Sequence, residues 1–299
     1  MQPFDWNEYQ AFLAIARAGL LGRAALAMGV DATTMGRRLR RLEARLGSTL
    51  FEQTREGQVL TEAGEALLIS VEAMAAAAAA ITEGASGEGG PSGTIRISVS
   101  EGFGTWFVAR HLPEFIAAYP RLAPDLVANS GFLSPSKREA DIAVVLSRPK
   151  AGPVITRKLA DYALRLYASP AYLDAAGTPD RPADLAQGFR LVGYIPDLIY
   201  APELLYLDEI LTGLSANVRS SSINAQHKLI AAGAGIGVLP CFMGDADPAL
   251  VAVLPAQRIL RSLWLVTHKD NHKLAKIIAA KDWLTNVVAA SRSLLVPPG

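Results

Sequence analysis

The sequence predicts a small helical N-terminal module with a hairpin, one long helix, and a larger C-terminal α/β part. Three observations lead to this fold class. Short apolar patterns with helical spacing fill the first 60 residues, an alanine-rich helical run follows, and short strand patterns alternate with helices beyond a glycine-rich stretch. In the terms of fold classes this is α plus α/β, with a winged helix-turn-helix, a long linker helix and a C-terminal α/β domain.

The most specific pattern in the chain lies between residues 22 and 47. A short helical run from Gly22 ends at Gly29, and a second helix follows Asp31, a favoured N-cap residue. Gly47 stands where a helix C-terminus favours a left-handed residue. Two helices joined by a tight, glycine-bearing turn are typical of the helix-turn-helix motif.

The second of these helices has one apolar and one basic side. At about 100° per residue, one face collects Met35, Leu39, Leu42 and Leu46. Arginine grips phosphate or reads guanine, and threonine contacts base edges, so the DNA-contact candidates are Arg23, Thr33, Thr34, Arg37, Arg38 and Arg41. A solvated basic face is the alternative. Five arginines between Arg37 and Arg45 accompany one acid, Glu43, and this imbalance favours DNA.

A small hairpin is predicted after this helix. Residues 50–60 have the pattern of a strand, a turn at Glu56-Gly57 and a returning strand. A hairpin in this position is a wing, and Arg55 at its tip is expected to reach a neighbouring groove or phosphate.

Several segments of this region resemble LysR-type transcriptional regulators. They are closely spaced and comprise Arg23-Ala24-Ala25, Arg40-Arg41-Leu42-Glu43, Leu46-Gly47, Leu50-Phe51-Glu52 and Leu60-Thr61-Glu62-Ala63-Gly64. Two departures bear on base preference: Leu20 replaces a usual serine, and Asp31-Ala32-Thr33 replaces a Ser-Gln-Pro-type opening. The resemblance implies a sequence-specific DNA-binding regulator that is controlled by a small-molecule effector.

A long helix and a hinge follow the wing. Thr61 is expected to cap a helix that continues to about Thr82, with an apolar stripe formed by Leu67, Leu68, Val71, Met74, Ala75, Ala78 and Ile81. Such a stripe predicts a two-helix seam between two copies of the chain, and the resemblance implies the same dimerisation. Residues 84–93 are rich in glycine and serine and predict a flexible hinge.

The remaining residues alternate strand and helix patterns, as parallel α/β structures do. The resemblance implies a two-lobed effector domain similar to periplasmic binding proteins, with crossovers at Tyr162–Leu166 and Leu263–Thr267. The predicted organisation is a DNA-binding domain at 1–60, a dimerisation helix at 61–83, a hinge at 84–93, lobe 1 at 94–161 and 268–299, and lobe 2 at 162–267.

Effector candidates follow from where ligands bind in open α/β sheets, at the carboxyl ends of strands and at helix N-termini. They are Ser100, Gly102, Phe103, Thr105, Ser130, Ser147, Ser221 and Ser222. A single serine in such a place is more often an ordinary N-cap than a ligand contact, but their convergence predicts a small polar or anionic effector. Glu101 disfavours a simple anion unless the effector is cationic or this side chain turns away.

No catalytic constellation, cofactor or metal site is predicted, and the chain is not expected to be an enzyme. His268 and His272 are four residues apart, without a nearby cysteine. Glycines 233, 235 and 237 follow a helix and precede a strand, the reverse of the dinucleotide fingerprint. Gly233 is interpreted as a helix C-cap, and the other two indicate tight packing. Cys241 is interpreted as a buried, inert thiol.

Composition limits the location and the partners. The net charge is only +1, so DNA binding must be local to one face. The single cysteine suits a reducing cytoplasm, and the sequence patterns predict neither secretion nor a membrane span, so a cytoplasmic protein is expected. The expected partners are double-stranded DNA, a small-molecule effector, a second or further copy of the chain, and RNA polymerase if the protein is an activator. Two alternatives stay open: an effector-independent repressor or architectural protein, and an enzyme or ligand-binding protein with an incidental helical module.

Overall fold

A computed structural model of the chain describes residues 5–54, 57–85, 90–129, 131, 134–137 and 139–298. The chain divides into two compact units, Met1–Gly89 and Gly90–Gly299. Within the described residues, no single helix combines the length and the apolar character that a membrane span requires.

The first unit consists of three helices, a hairpin and a long helix. These elements are α1 (Trp6–Ala18), α2 (Leu21–Ala27), α3 (Ala32–Leu46), β1 (Phe51–Gln53), β2 (Gln58–Leu60) and α4 (Glu62–Ala85). The Asp31 carboxylate caps α3 by accepting a hydrogen bond from the Thr34 backbone N–H at 2.7 Å. Gly47 ends the same helix with a φ of 65°. Both predicted end signals are therefore confirmed.

The predicted hairpin is confirmed in its two strands. β1 and β2 are antiparallel, with Phe51 opposite Leu60. The Gln58 backbone N–H donates to the carbonyl of Gly19 at 2.8 Å, which ties the hairpin to the end of α1. A Cβ at Gly57 would lie 2.4 Å from that carbonyl oxygen, so only glycine allows this approach. Arg55, the predicted tip residue, lies outside the described residues.

Helix α4 differs from its prediction because much of its apolar stripe is used within its own unit. Val71 is fully buried, and Leu67, Leu68 and Ala75 pack against the same core. The hairpin directs the chain back across α1, so that α4 packs against the apolar side of α1. The first part of α4 therefore belongs to the same compact unit as α1, α2 and α3 instead of being a separate segment from residue 61.

The predicted hinge at residues 84–93 differs from the structure at its first residues. Helix α4 extends to Ala85, so the hinge predicted for residues 84–93 begins two residues too early. Residues 86–89 lie outside the described residues, and the next strand begins at Gly93.

The described part of the second unit forms one mixed sheet of nine strands. The strands are β3 (Gly93–Ser100), β4 (Leu122–Asn129), β5 (Ile142–Val145), β6 (Val154–Ala168), β7 (Leu191–Gly193), β8 (Val218–Arg219), β9 (Ile236–Pro240), β10 (Val251–Val253) and β11 (Ile259–His268). Their order is β4-β3-β5-β11-β6-β9-β7-β8, and β10 pairs with β6. The pairs β3–β4, β3–β5, β7–β8 and β7–β9 are parallel, as the alternating pattern predicts.

Helices connect these strands and cover the sheet. They are α5 (Glu101–Phe103), a π-helical turn (Gly104–Val108), α6 (Ala109–Ala118), α7 (Pro170–Ala176), α8 (Leu207–Ile210), α9 (Ile223–Ala231), α10 (Cys241–Gly244), α11 (Ala275–Ala290) and α12 (Arg292–Leu295). Short 3-10 turns occur at Pro135–Lys137, Pro182–Ala186, Pro196–Leu198 and Pro202–Leu204.

Two long strands connect two lobes. β6 and β11 are antiparallel over the whole length of β11, from Val154 opposite His268 to Leu164 opposite Ile259. At one end β11 also pairs with β5, and at the other end β6 also pairs with β9. We define lobe 1 as β3, β4, β5, α5, α6 and α11, and lobe 2 as β7, β8, β9, α7, α9 and α10. The predicted crossover segments lie inside these two strands.

The C-terminal segment is shared between the lobes, although residues 268–299 were all predicted to lie in lobe 1. Helix α11 packs on lobe 1, where the rings of Trp283 and Phe115 are 4.9 Å apart. Helix α12 packs instead against α10 and β6, and its Leu295 is fully buried. Arg165 also donates a hydrogen bond to the carbonyl of Pro298 at 3.1 Å. Burial of Leu295 therefore turns the end of the chain towards lobe 2.

Candidate DNA-binding face and inter-lobe cavity

Helix α3 exposes most of its predicted basic side. Arg37 and Arg41 are exposed, as are Thr33 and Arg23, while the opposite side supplies Met35, Leu39 and Leu42 to the core. Thr34 is half-buried, and its hydroxyl donates to Asp31 Oδ2 at 2.7 Å, so this threonine also serves the helix cap. The exposed set presents three guanidinium groups and one hydroxyl, which are the groups that contact phosphates and base edges.

Two further arginines of α3 interact with their own unit. Arg45 forms an ion pair with Glu8, which is only 4% exposed. Arg38 is half-buried. The pKa of the Asp5 carboxyl is lowered first by hydrogen bonds from Asn7 and then by the charges of Arg45 and Arg38. Arg45 thus helps to hold α3 against α1, which carries Glu8. Arg38 lies at the edge of the exposed face.

The acid of α3 also has a structural partner. Glu43 Oε1 accepts a hydrogen bond from the backbone N–H of Leu50 at 2.8 Å. This bond fixes the chain where it leaves α3 and enters the hairpin.

Between the two lobes lies a cavity with about 420 Å³ of space that no protein atom fills, including its opening. Its lining is mostly aromatic and apolar, and the aromatic members are Phe103, Tyr162, Tyr194, Tyr200, Tyr206 and Phe242. Among the described residues that line it, none has a side chain with a formal charge. A mostly apolar and aromatic lining with few polar groups is typical of small-molecule sites.

Three of the predicted effector residues line this cavity: Ser100, Gly102 and Phe103. Gly102 allows the lobes to approach closely, because a Cβ there would lie 2.9 Å from the Met243 sulfur and 3.1 Å from Ile223 Cγ2. The described residues Thr105, Ser147, Ser221 and Ser222 do not belong to the lining. Ser130 lies outside the described residues.

The hydroxyls outside the lining bond to other parts of the protein. Ser147 donates to the Glu203 carboxylate, and Thr105 Oγ1 accepts from the Asn224 amide at 3.2 Å. Ser222 is the N-cap of α9 and accepts from the Ala225 backbone N–H at 3.1 Å. The cap interpretation, which each serine allowed on its own, thus describes Ser222.

Glu101 connects the lobes at the start of α9. Its carboxylate accepts hydrogen bonds from Ser222 Oγ at 2.7 Å, the Ile223 backbone N–H at 3.0 Å and the Asn224 amide at 3.1 Å. Helix N-termini favour negative charge and offer unpaired N–H groups. Glu101 of lobe 1 therefore takes the position at which an anion would bind α9 of lobe 2. The Glu101 side chain therefore points to the N-terminus of α9.

A second group of contacts lies beside this one. Trp106 Nε1 donates to Asn224 Oδ1 at 2.8 Å, and its ring centroid lies 4.5 Å from that of His227. Trp106 belongs to the π-helical turn, a distortion that is frequent at functional sites. His227 is fully buried with Nε2 3.1 Å from Asp247 Oδ2. Burial lowers the pKa of His227 more than the Asp247 carboxylate raises it, so the imidazole is held neutral.

The tyrosines of the cavity were not among the predicted site residues. Burial raises the pKa of Tyr200 to about 12, and it also raises the pKa of Tyr194 and Tyr206, so their phenols stay protonated. Within the described structure, the Tyr206 hydroxyl is buried without a hydrogen bond of normal geometry. The sequence carries one indication of them, because three of the eight tyrosines lie close together, between residues 194 and 206.

Histidine and cysteine positions give no metal centre within the described residues, where no three potential ligands come together. His268 Nδ1 accepts a hydrogen bond from the Asp270 backbone N–H at 3.2 Å. Cys241 is buried, as predicted, and burial raises the pKa of its thiol. Tight packing is confirmed at Gly235, where a Cβ would lie 2.4 Å from the Arg190 carbonyl oxygen.

Comparisons with known proteins agree with both units. The chain matches the family model of the LysR substrate binding domain over residues 88–289 and that of the bacterial regulatory helix-turn-helix protein, lysR family, over residues 6–65. The Mau operon transcriptional activator of Paracoccus denitrificans is 28% identical over 95% of this chain and 97% of that protein.

Among solved structures, full-length OxyR from Pseudomonas aeruginosa has a TM-score of 0.72 at 18% identity, covering 96% of this chain and 95% of that chain. CrgA from Neisseria meningitidis has a TM-score of 0.59 at 24% identity, covering 95% of this chain and 99% of that chain. The structural likeness establishes the fold.

A helix-turn-helix unit on the same chain as a two-lobed α/β domain defines a DNA-binding regulator with an effector domain. Since one family model covers more than half of the chain, this protein belongs to the LysR family of transcriptional regulators.

Proposed function

We propose that this regulator binds its operator through the exposed face of α3 and that a small molecule in the inter-lobe cavity changes that binding. The DNA contacts are assigned to Arg23, Thr33, Arg37 and Arg41, which are exposed together. Thr34 and Arg38 border this face, and Arg55 is assigned to the wing from the sequence alone.

The observation that supports effector control is a cavity lined by both lobes. Phe103 and Ser100 come from lobe 1, and Tyr194 and Ile223 come from lobe 2 or its connections. A ligand that contacts both lobes binds their closed arrangement better than an open one. This difference in affinity is what a population shift requires.

A second copy of the chain is the proposed partner of α4. Ile69 on this helix is 58% exposed, on a side different from that of the buried Val71. Pairing of two such faces would bring two α3 helices to two half-sites, as regulators of this kind require. The assembly is a dimer or a tetramer of the chain, it acts in the cytoplasm, and RNA polymerase is a further partner if the regulator is an activator.

The test of this function is selection of bound fragments from a library of genomic DNA, followed by fluorescence anisotropy at fixed salt. Selected fragments should bind at least about a thousandfold more tightly than random DNA. Equal affinities for both would exclude sequence-specific binding. If a ligand occupies the cavity and the DNA affinity stays the same, the effector-independent repressor is the better description.

A further inference from the structure

The charge of the inter-lobe site limits which ligands it can bind, and this inference rests on the cavity being the effector site. The N-terminus of α9 is the part of the site that would attract an anion. All three of its nearby donors, Ser222 Oγ, the Ile223 N–H and the Asn224 amide, already bond to the Glu101 carboxylate. A ligand carboxylate would have to displace Glu101 or lie beside it.

The charges around the cavity also disfavour an anion. The pKa values of Tyr194 and Tyr200 are raised mainly by burial, and the negative charge of Glu101 acts in the same direction. Arg261 is a cation whose charge reaches Tyr162 and Tyr206. Its guanidinium is paired with Glu209 and also donates to the Glu203 carbonyl at 3.2 Å. The positive charge is therefore already neutralised.

A cation is not favoured either, because the lining itself holds no counter-charge. The described lining residues are aromatic, aliphatic, glycine, proline and serine. A charged group of either sign that enters such a lining without a partner loses its hydration. The Glu101 carboxylate has its oxygens engaged by three donors. The Glu203 carboxylate accepts a hydrogen bond from Ser147.

One polar group in the lining, the Tyr206 hydroxyl, has only a weak contact with the Tyr194 side chain in the described structure. Tyr206 is 2% exposed, its ring lies 6.1 Å from that of Tyr194, and its hydroxyl makes no hydrogen bond of normal geometry. Buried polar groups without a hydrogen bond are rare in native structures. A ligand hydroxyl would satisfy this group, and a ring would fill the aromatic lining.

We propose that the cavity binds an uncharged, ring-sized molecule with a hydroxyl group, that Tyr206 hydrogen-bonds to this hydroxyl, and that Glu101 excludes carboxylates. Glu101 thus acts as a built-in substitute for an anionic ligand. The predicted polar or anionic effector is narrowed to a polar, uncharged one.

The test uses three probes that share one ring and differ in charge: benzyl alcohol, benzoate and benzylammonium. Each is titrated into the full-length protein by isothermal titration calorimetry. Benzyl alcohol should bind, and the two ions should bind at least about tenfold more weakly. Tighter binding of benzoate or of benzylammonium, or no binding of benzyl alcohol up to its solubility, overturns the proposal.

Two variants assign the contacts. Tyr206→Phe should weaken benzyl alcohol binding about two- to tenfold and leave toluene, which has no hydroxyl, unaffected. Tyr119→Phe is the matched control, because Tyr119 packs on Phe115 away from the cavity lining. Glu101→Gln removes the charge and should raise the affinity for benzoate. Equal benzyl alcohol affinities in wild type and Tyr206→Phe, or no gain of benzoate binding in folded Glu101→Gln, contradict the assignment.

The DNA affinity of the same samples separates this proposal from the proposed function. If benzyl alcohol binds with the expected pattern but DNA affinity does not change, the ligand class stands and control by the cavity fails. If a charged probe binds better and also changes DNA affinity, control by the cavity stands and the ligand class is wrong.

Discussion

Glu101 and Ser222 are joined across the two lobes by a hydrogen bond of 2.7 Å, although 121 residues separate them in sequence. The same carboxylate accepts the first backbone N–H of α9. Hydrogen bonds to a charged group contribute about 1.5–3 kcal/mol each when they are well formed. The closed arrangement of the lobes is therefore stabilised by the protein itself before any ligand binds.

Replacing Glu101 by alanine should empty the N-terminus of α9. We expect the free energy of unfolding of the effector unit to fall by about 2 kcal/mol, because several donors lose a charged acceptor. Acetate or formate should then restore part of the lost thermal stability, since a small carboxylate can take the same position. The measurement is the melting temperature of wild type and variant over a series of acetate concentrations at constant ionic strength.

Glu114→Ala is the matched control for this rescue. The Glu114 side chain is 65% exposed, and its carboxylate contacts only His111 among the interactions described for it. This variant should melt like wild type with and without acetate. If acetate stabilises Glu101→Ala no more than it stabilises Glu114→Ala, then α9 does not bind the carboxylate in the way we describe.

Arginines on α3 should separate into two groups when they are replaced. Arg37→Ala or Arg41→Ala should each cost about 1–3 kcal/mol of specific DNA binding, because each loses a base or phosphate contact. The stability of the fold should hardly change, because both side chains are exposed. Anisotropy with operator DNA and urea unfolding measure the two effects.

The contrast comes from two other arginines. Arg45→Ala should lower the free energy of unfolding by about 3 kcal/mol, since it leaves the nearly buried Glu8 without its partner. Arg17→Ala should change neither quantity, because the Arg17 side chain is 65% exposed and 3.9 Å from Glu72. Operator affinity that is unchanged in both Arg37→Ala and Arg41→Ala would remove the DNA-binding assignment of this face.

Local signals explain which parts of the fold could be predicted. Asp31, Gly47 and Thr61 act on backbone groups within a few residues, so their roles at helix ends are visible in the sequence. The alternation of strands and helices was visible for the same reason, since it depends on periodicity over short windows.

Long-range contacts explain what could not be predicted. Arg45 and Arg41 are the same residue type on the same helix, and only contact with Glu8, 37 residues away, distinguishes them. Glu101 has a role only because α9 meets it from the other lobe. Tyr200 and Tyr206 lie in connecting residues beside short 3-10 turns, where no periodic pattern marks which side faces a cavity.

The exposed side of α4 should carry the contact between copies. Ile69→Glu introduces a charge at an exposed apolar position of this helix, and we expect it to convert the oligomer to a monomer. Operator affinity should then fall about a hundredfold or more, because the second binding event is lost. Analytical ultracentrifugation measures the assembly, and anisotropy measures the affinity.

Leu26→Glu provides a control with the same change of chemistry. Leu26 is 84% exposed on α2, outside α4, so this variant should keep the oligomeric state of the wild type. If Ile69→Glu sediments like wild type, the contact between copies lies elsewhere.

His227 should make the stability of the effector unit depend on pH. Burial lowers its pKa below the usual value of 6.5, with Asp247 opposing and Lys228 assisting this shift. The unfolded chain therefore takes up a proton more readily than the folded one. Its contribution to stability is complete above about pH 6.5 and is lost as the pH falls towards the folded-state pKa.

Urea unfolding of wild type and His227→Gln at several values between about pH 7.5 and pH 5 tests this dependence. The wild type should lose more stability on acidification than the variant does, and the fluorescence of Trp106, whose ring lies against His227, should change over the same range. His272→Gln, which alters a half-buried histidine, should keep the wild-type slope. Parallel slopes for wild type and His227→Gln would mean that His227 is not held neutral by burial, and that its contact with Asp247 outweighs the loss of hydration.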